Sequence, residues 1–283
     1  MNVLEIKDLN KAYPSFQLKD INMTLEKGYI MGFIGENGAG KTTTLRSMLN
    51  ITAKDSGSVH IFEKDMNKHE IDIKQDIAFM SGDSMFFPRS RLYKITNIYK
   101  KFFKNWNDEI YNNYMSIFGL DQNKKVFELS QGMKMKYSLA LALSHQAKFI
   151  ILDEPTSGLD PVARDLLLEI FQSIVEDGEI SILFSTHITS DLEKCADYIT
   201  FIQNGKIIES SSKDDLLDHY RLIVGANELL PKYKDILIAH KKNSFGFTGL
   251  IHTEDASKLT DVELLPPTLD DIMIYFSMNG GRK

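Results

Sequence analysis

The stretch "YIMGFIGENGAGKTTTLRSMLN" (residues 29–50) joins an unbroken apolar run, a glycine-rich turn and a helical pattern. "YIMGFI" (29–34) shows no polar alternation, as expected of a strand covered on both faces. "GENGAGKT" then places Gly35, Gly40, Lys41 and Thr42 at the spacing G-x-x-x-x-G-K-[ST], with a strand before it and a helix after it, which is the context that gives this match its meaning. Glycines let the backbone N–H groups of such a loop turn inward around phosphates, and the helix that follows adds its positive end. The predicted phosphate contacts are Gly35, Glu36, Asn37, Gly38, Ala39, Gly40, Lys41, Thr42 and Thr43. Lys41 supplies a point charge to the β- and γ-phosphates, and the Thr42 hydroxyl is a ligand for Mg²⁺. The nucleotide is ATP on this reading, and an ordinary glycine turn is the bland alternative.

Two further strand ends carry chemistry. "FIILDEP" (149–155) sets adjacent acids at the end of an apolar strand, where neighbouring carboxylates are costly unless a cation is close. Asp153 is predicted to hold Mg²⁺ and Glu154 to act as general base towards water. "STH" (185–187) ends another apolar strand, so His187 falls on the carboxyl-end rim where α/β sheets bind ligands. A purely structural histidine is the alternative there. Its place after the acid strand favours a γ-phosphate sensor.

Around these motifs, strands are read at "INMTLEKG" (21–28), "SVHIF" (58–62) and "DIAFM" (76–80), and a helical insertion at about 88–146. The strand pattern resumes at 149, passes through the helix "PVARDLLLEIFQSIVE" (161–176), and reaches the hairpin "YITFIQNGKII" (198–208), turned by Asn204 and Gly205. "SSSKDD" (210–215) reads as a polar linker, and residues 213–283 as a small α+β appendage whose last helix starts in "LLPPTLDDIMIYFSM" (264–278). Strands alternating with helices give an α/β class.

The chain has 283 residues, a formal net charge of −6 and one cysteine, Cys195. Dispersed basic residues argue against a nucleic-acid partner. A lone cysteine leaves no internal disulfide and suits a reducing compartment. No apolar run reaches the ~20 residues of a membrane span, and the first residues lack a secretory pattern. A soluble, cytoplasmic protein is expected, with any membrane role supplied by a partner.

"ELSQGMKMKYSLALAL" (128–143) poses a question, because it sets Ser130 and Gly132 at the mouth of a helix and so makes a second phosphate-gripping loop. With this segment the chain resembles the ATP-binding cassette subunits of ABC transporters over roughly residues 1–212. The matching motifs are "GENGAGKTT", "LSQGM", "IILDE", "SGLD" (157–160) and "STH", in that order. The resemblance implies a P-loop NTPase core of ABC ATPase type, an inserted helical subdomain and an antiparallel β subdomain, while the α+β appendage from 213 to 283 lies beyond it and is read as a C-terminal accessory domain. It implies a second cassette turned head to tail, with Ser130, Gln131 and Gly132 reaching the partner's γ-phosphate and Asp160 lying across the same seam. It also implies that Tyr13, in "KAYPSF" (11–16), stacks on adenine; from the residues alone Tyr13 is a tyrosine before a proline, with core packing as the alternative.

Two departures stand out. The signature reads "LSQGM" where the family commonly has "LSGGQ", so Met133 replaces an amide side chain. The glutamine usual after the strand "DIAFM" is missing, and Gly82 and Asp83 occupy that region. Asp83 is either an oxygen ligand for Mg²⁺ or a solvated loop acid. In "LYKITNIYKKFFKNW" (92–106), Leu92, Ile95, Tyr99, Phe102, Phe103 and Trp106 recur at helical spacing. Internal packing, docking of a membrane subunit and lipid contact are all open to that face. The resemblance implies an ATPase on the inner face of the membrane that drives a separate permease, with exporters of peptides or drugs the nearest in pattern. A soluble nucleotide-gated clamp and an importer cassette remain alternatives; a small-molecule kinase has no use for a clamp acting on another chain.

Overall fold

The computed structural model describes residues 1–81 and 87–280. Six strands form the central sheet, in the order Lys206–Ser212, Tyr198–Gln203, Ile30–Ile34, Ser181–Thr186, Phe149–Asp153, Ile77–Ser81. The last five run parallel, and Lys206–Ser212 returns antiparallel beside its neighbour. Strict alternation along the inner strands divides their side chains between two cores. Ile30, Ile34, Ile150, Leu152, Ile182 and Phe184 face one, and Met31, Phe33, Phe149, Ile151 and Leu183 the other. The helices Gln131–Ser144 and Pro161–Val175 pack into the first core, and Lys41–Met48 into the second.

That second core is closed by an antiparallel sheet in the order Phe16–Glu26, Asn2–Tyr13, Ser56–Ile61, Lys64–Asp65. Its inner face carries Leu4, Ile6, Leu18, Ile21 and Leu25, all buried. The hairpin at Asn204 and Gly205 turns with φ of +47° and +73°, the positive values of a type I′ turn. Gly205 is required twice over there, because a Cβ would lie 1.8 Å from the Gln17 carbonyl. The Lys19 N–H donates to the Gly205 carbonyl at 2.8 Å, tying the hairpin tip to the antiparallel sheet.

The helical insertion comprises Leu92–Tyr99, Asp108–Ile117 and Gln131–Ser144, around a core of Leu92, Tyr111, Met115, Val126 and Tyr137. Leu92, Ile95, Tyr99 and Trp106 pack in or against that core, as internal packing requires, but the helical spacing over 92–106 is not carried by one helix. The first helix ends at Tyr99, and after an irregular stretch Asn107 starts the next by accepting from Glu109 N–H (2.8 Å) and Ile110 N–H (3.1 Å). Phe103 instead turns inward and stacks on His145, 3.9 Å between ring centres, while Phe102 is left exposed. Those aromatic residues therefore do not share one helix face.

The polar stretch 210–215 is not a linker either. Its serines complete Lys206–Ser212, and Ser212 caps the helix Lys213–His219 by accepting from Asp215 N–H at 3.1 Å. The remaining residues form an antiparallel sheet, Ala239–Lys242, Phe247–His252, Tyr220–Gly225, Glu263–Leu265. One face has a small core of Ile223, Tyr233, Phe247 and Ile251. The other, with Leu222 and Leu250, joins the main core together with Leu269, Ile272 and Phe276 of the helix Leu269–Gly280. Phe276 lies 5.8 Å from Phe201 of the central sheet, ring centre to ring centre. Thr268 and Asp271 begin this helix with reciprocal bonds, Thr268 N–H to Asp271 Oδ2 (3.0 Å) and Asp271 N–H to Thr268 Oγ1 (3.1 Å). Among the described residues no helix is long and apolar enough to cross a membrane.

Candidate functional site

The glycine loop leaves the strand Ile30–Ile34 and enters the helix Lys41–Met48 through Gly40, whose φ of +116° admits few residues but glycine. A Cβ on Gly35 would meet the Ile202 carbonyl at 2.3 Å. Lys41 is buried, and its ammonium donates to the carbonyls of Gly35 (2.7 Å) and Glu36 (3.3 Å) and pairs with Glu154 Oε1 at 3.1 Å. A buried ammonium with every partner supplied is what the low-dielectric site demands. The loop opens on a cleft of about 560 Å³ lined by Phe16, Glu36, Asn37, Gly38, Gly40, Lys41, Thr42, Thr43, Ser15 and Glu154.

Three neighbouring parallel strands deliver the remaining groups. Asp153 is register partner of Ser185, and Ile34 of Thr186. The buried Asp153 carboxylate accepts from Thr42 Oγ1 (2.8 Å) and from Ser185 Oγ (2.7 Å). Glu154 leaves the strand with φ of +52°, a left-handed backbone rarely adopted by side-chain-bearing residues. Its N–H donates to Ser185 Oγ at 2.9 Å. This turn swings the Glu154 carboxylate between two groups: Oε1 faces Lys41, and Oε2 meets His187 Nδ1 at 2.8 Å. The predicted set Lys41, Thr42, Asp153, Glu154 and His187 is thus brought together.

Ser185 was not foreseen. Its role follows from register opposite Asp153, which a single sequence does not display. Nor was Asp191, in the short helix Thr189–Cys195 just beyond His187. Asp191 is fully buried and accepts from Thr156 Oγ1 at 2.6 Å. Burial pushes its carboxyl pKa above the usual range, against the opposing pull of the Thr156 hydroxyl, of Arg164 and of the Thr186 hydroxyl.

Other predicted residues lie elsewhere. Tyr13 pairs with Phe16 across the turn at Pro14 and Ser15; Phe16 lines the cleft, and Tyr13 stays largely exposed with the Lys11 ammonium 5.5 Å from its ring centre. Ser130 caps the helix Gln131–Ser144 by accepting from Met133 N–H at 3.2 Å, and it is exposed. A Cβ on Gly132 would sit 3.7 Å from Leu159, so the signature helix and the 157–160 loop adjoin. Asp160 caps Pro161–Val175, accepting from the N–H groups of Val162 and Ala163, both at 3.0 Å. Ser130, Gln131, Gly132 and Asp160 do not line the cleft of their own chain. Gly82 and Asp83 lie outside the described residues.

Comparison with known proteins bears on this geometry. Residues 18–157 match the family described as ABC transporter. The chain is 32% identical over 270 residues to the ABC transporter ATP-binding protein YtrB of Bacillus subtilis (strain 168), covering 94% of this chain and 92% of that one. It is 35% identical over 224 residues to the bacitracin transport ATP-binding protein BcrA of Bacillus licheniformis, covering 76% of this chain and 71% of that protein. A solved structure described as the ATP binding subunit of an ABC transporter superposes with a TM-score of 0.68 at 25% identity, over 76% of this chain and 91% of the other. The phosphate loop, the acid pair and His187 meet at the carboxyl ends of neighbouring strands, and the chain belongs to the ABC transporter family as an ATP-binding subunit and an ATPase.

Proposed function

We propose that this subunit hydrolyses ATP to drive a separate membrane permease that exports peptides or drugs. The observation that carries the hydrolytic reading is the placement of the Glu154 carboxylate, 3.1 Å from the Lys41 ammonium and 2.8 Å from His187 Nδ1. Glu154 takes a proton from the attacking water, His187 orients Glu154 and hydrogen-bonds the γ-phosphate, and Lys41 balances charge that grows on the phosphate oxygens. The Thr42 hydroxyl and Asp153 carboxylate, 2.8 Å apart, are hard oxygen donors of the kind Mg²⁺ takes. Bound there, Mg²⁺ supplies charge neutralisation to the phosphates.

The exposed Ser130–helix junction supports a head-to-tail pair of cassettes, because its hydroxyl and helix amides do not line their own chain's cleft and suit a phosphate brought by another chain. The name of the bacitracin transport relative supports export of peptide-like compounds. On this reading the subunit sits on the inner face of the membrane through its permease.

Glu154→Gln tests the hydrolytic core. ATP binding should persist while turnover falls by ~10²–10⁴, the usual general-base range. Unchanged turnover would remove Glu154 from the role given to it.

A further inference from the structure

The helix that follows His187 carries a carboxylate that the proposed reaction does not use. Asp191 has no exposed surface, and its two oxygens reach three different segments. Oδ2 accepts from Thr156 Oγ1 at 2.6 Å and, at 3.4 Å, from Thr186 Oγ1. Thr186 Oγ1 in turn accepts from the Ile188 N–H at 3.0 Å, so it fixes the backbone on the far side of His187. Oδ1 faces Arg164 Nε at 3.9 Å, beyond hydrogen-bond distance.

The chain positions of these partners matter. Thr156 lies two residues after Glu154, Thr186 directly precedes His187, and Arg164 belongs to the helix that Asp160 caps. One carboxylate therefore bonds to the segment of the general base and to that of His187, and faces the helix leaving the 157–160 loop. Packing alone does not explain an acid there, since an apolar residue of similar volume fills such a site at no desolvation cost. Leu192 and Cys195 of the same short helix show what the surrounding core accepts.

Resting on the hydrolytic reading above, we infer that Asp191 is a positioning residue for ATP hydrolysis, holding Glu154 and His187 in mutual hydrogen-bond reach through Thr156 and Thr186. Loss of that hold loosens the base relative to the phosphate loop, and a displacement near 1 Å is enough to cost on the order of 10²-fold in rate. ATP affinity is set mainly by the loop from Gly35 to Thr43 and stays.

The test is a set of ATPase measurements on the intact chain. Asp191→Ala and Thr156→Val, the second isosteric and kept in case the first fails to fold, should each lower kcat on the order of 10- to 100-fold with the KM for ATP little changed. Asp191→Asn retains an oxygen facing Thr156 and should recover most of that loss. The deciding comparison adds Thr156→Val to His187→Ala. Because Asp191 acts through the Glu154–His187 pair, the second change should cost little once His187 is gone. An undiminished further loss in that background, or a loss that appears in KM or follows the thermal midpoint, overturns the positioning role. Normal turnover in His187→Ala alone overturns the hydrolytic reading first and the positioning role with it, so the two failures are distinguishable.

Discussion

His145 lies at the C-terminal end of the signature helix with no exposed surface, its Nδ1 near the Leu141 carbonyl at 3.2 Å and its ring stacked on Phe103. Burial depresses its pKa from 6.5 to about 4, because a charged imidazolium there loses its hydration. The sign of the consequence follows from linkage. Between about 4 and 6.5 the unfolded chain binds the proton and the folded chain does not, so this contribution is complete above pH 6.5 and is lost as pH falls towards 4. In that window the unfolding free energy from urea titration should fall with a slope approaching ~1.4 kcal/mol per pH unit from this group, and His145→Gln should flatten it. An equal slope in both proteins would assign the acid sensitivity elsewhere. The grouping of Lys41, Asp153, Glu154 and His187 was legible because Asp153, Glu154 and His187 lie at or just past strand ends and Lys41 closes the glycine loop that follows one. Ser185 and Asp191 were not, since their meaning comes from register and from contacts 32 and 35 residues distant.

At the level of single elements, ends proved harder to read than middles. The aromatic spacing over 92–106 resembles a helix, yet the helix stops at Tyr99 and the next begins only after the Asn107 cap. The serines of 210–215 look like a linker by composition, but an edge strand with one exposed side tolerates polar residues freely. Caps themselves are testable. Asp160 holds two N–H groups at the start of Pro161–Val175, so Asp160→Ala should cost ~1 kcal/mol in chemical unfolding, with Asp160→Asn near neutral. Equal stability of all three proteins would show that the carboxylate is free to serve elsewhere.

At the scale of the molecule, the C-terminal region is not an independent bead. Leu269, Ile272 and Phe276 share one core with Ile34, Ile199 and Phe201, and Asp270 hydrogen-bonds to Thr189 at the start of the helix beyond His187. Phe276→Ala should therefore destabilise the entire chain by ~3–5 kcal/mol, read as a shift of one cooperative transition in calorimetry. A separate early transition with the main one unmoved would mean that the two parts unfold independently. The shared-site proposal is tested with two defective chains. Mixing Lys41→Ala with Ser130→Arg should restore part of the activity that each lacks, because only a mixed pair can combine an intact phosphate loop with an intact signature. Mixtures as inactive as their parents would exclude that arrangement. The strand order has a different kind of consequence. Ile30–Ile34, Ser181–Thr186 and Phe149–Asp153 are immediate neighbours in strict register, so the spacing within the candidate site is dictated by main-chain bonding and adding or deleting one residue inside any of the three would misalign acid, serine and histidine together. Chains diverging from this one are free to lengthen their outer loops, whereas those three short segments should keep a constant count however far their apolar side chains drift.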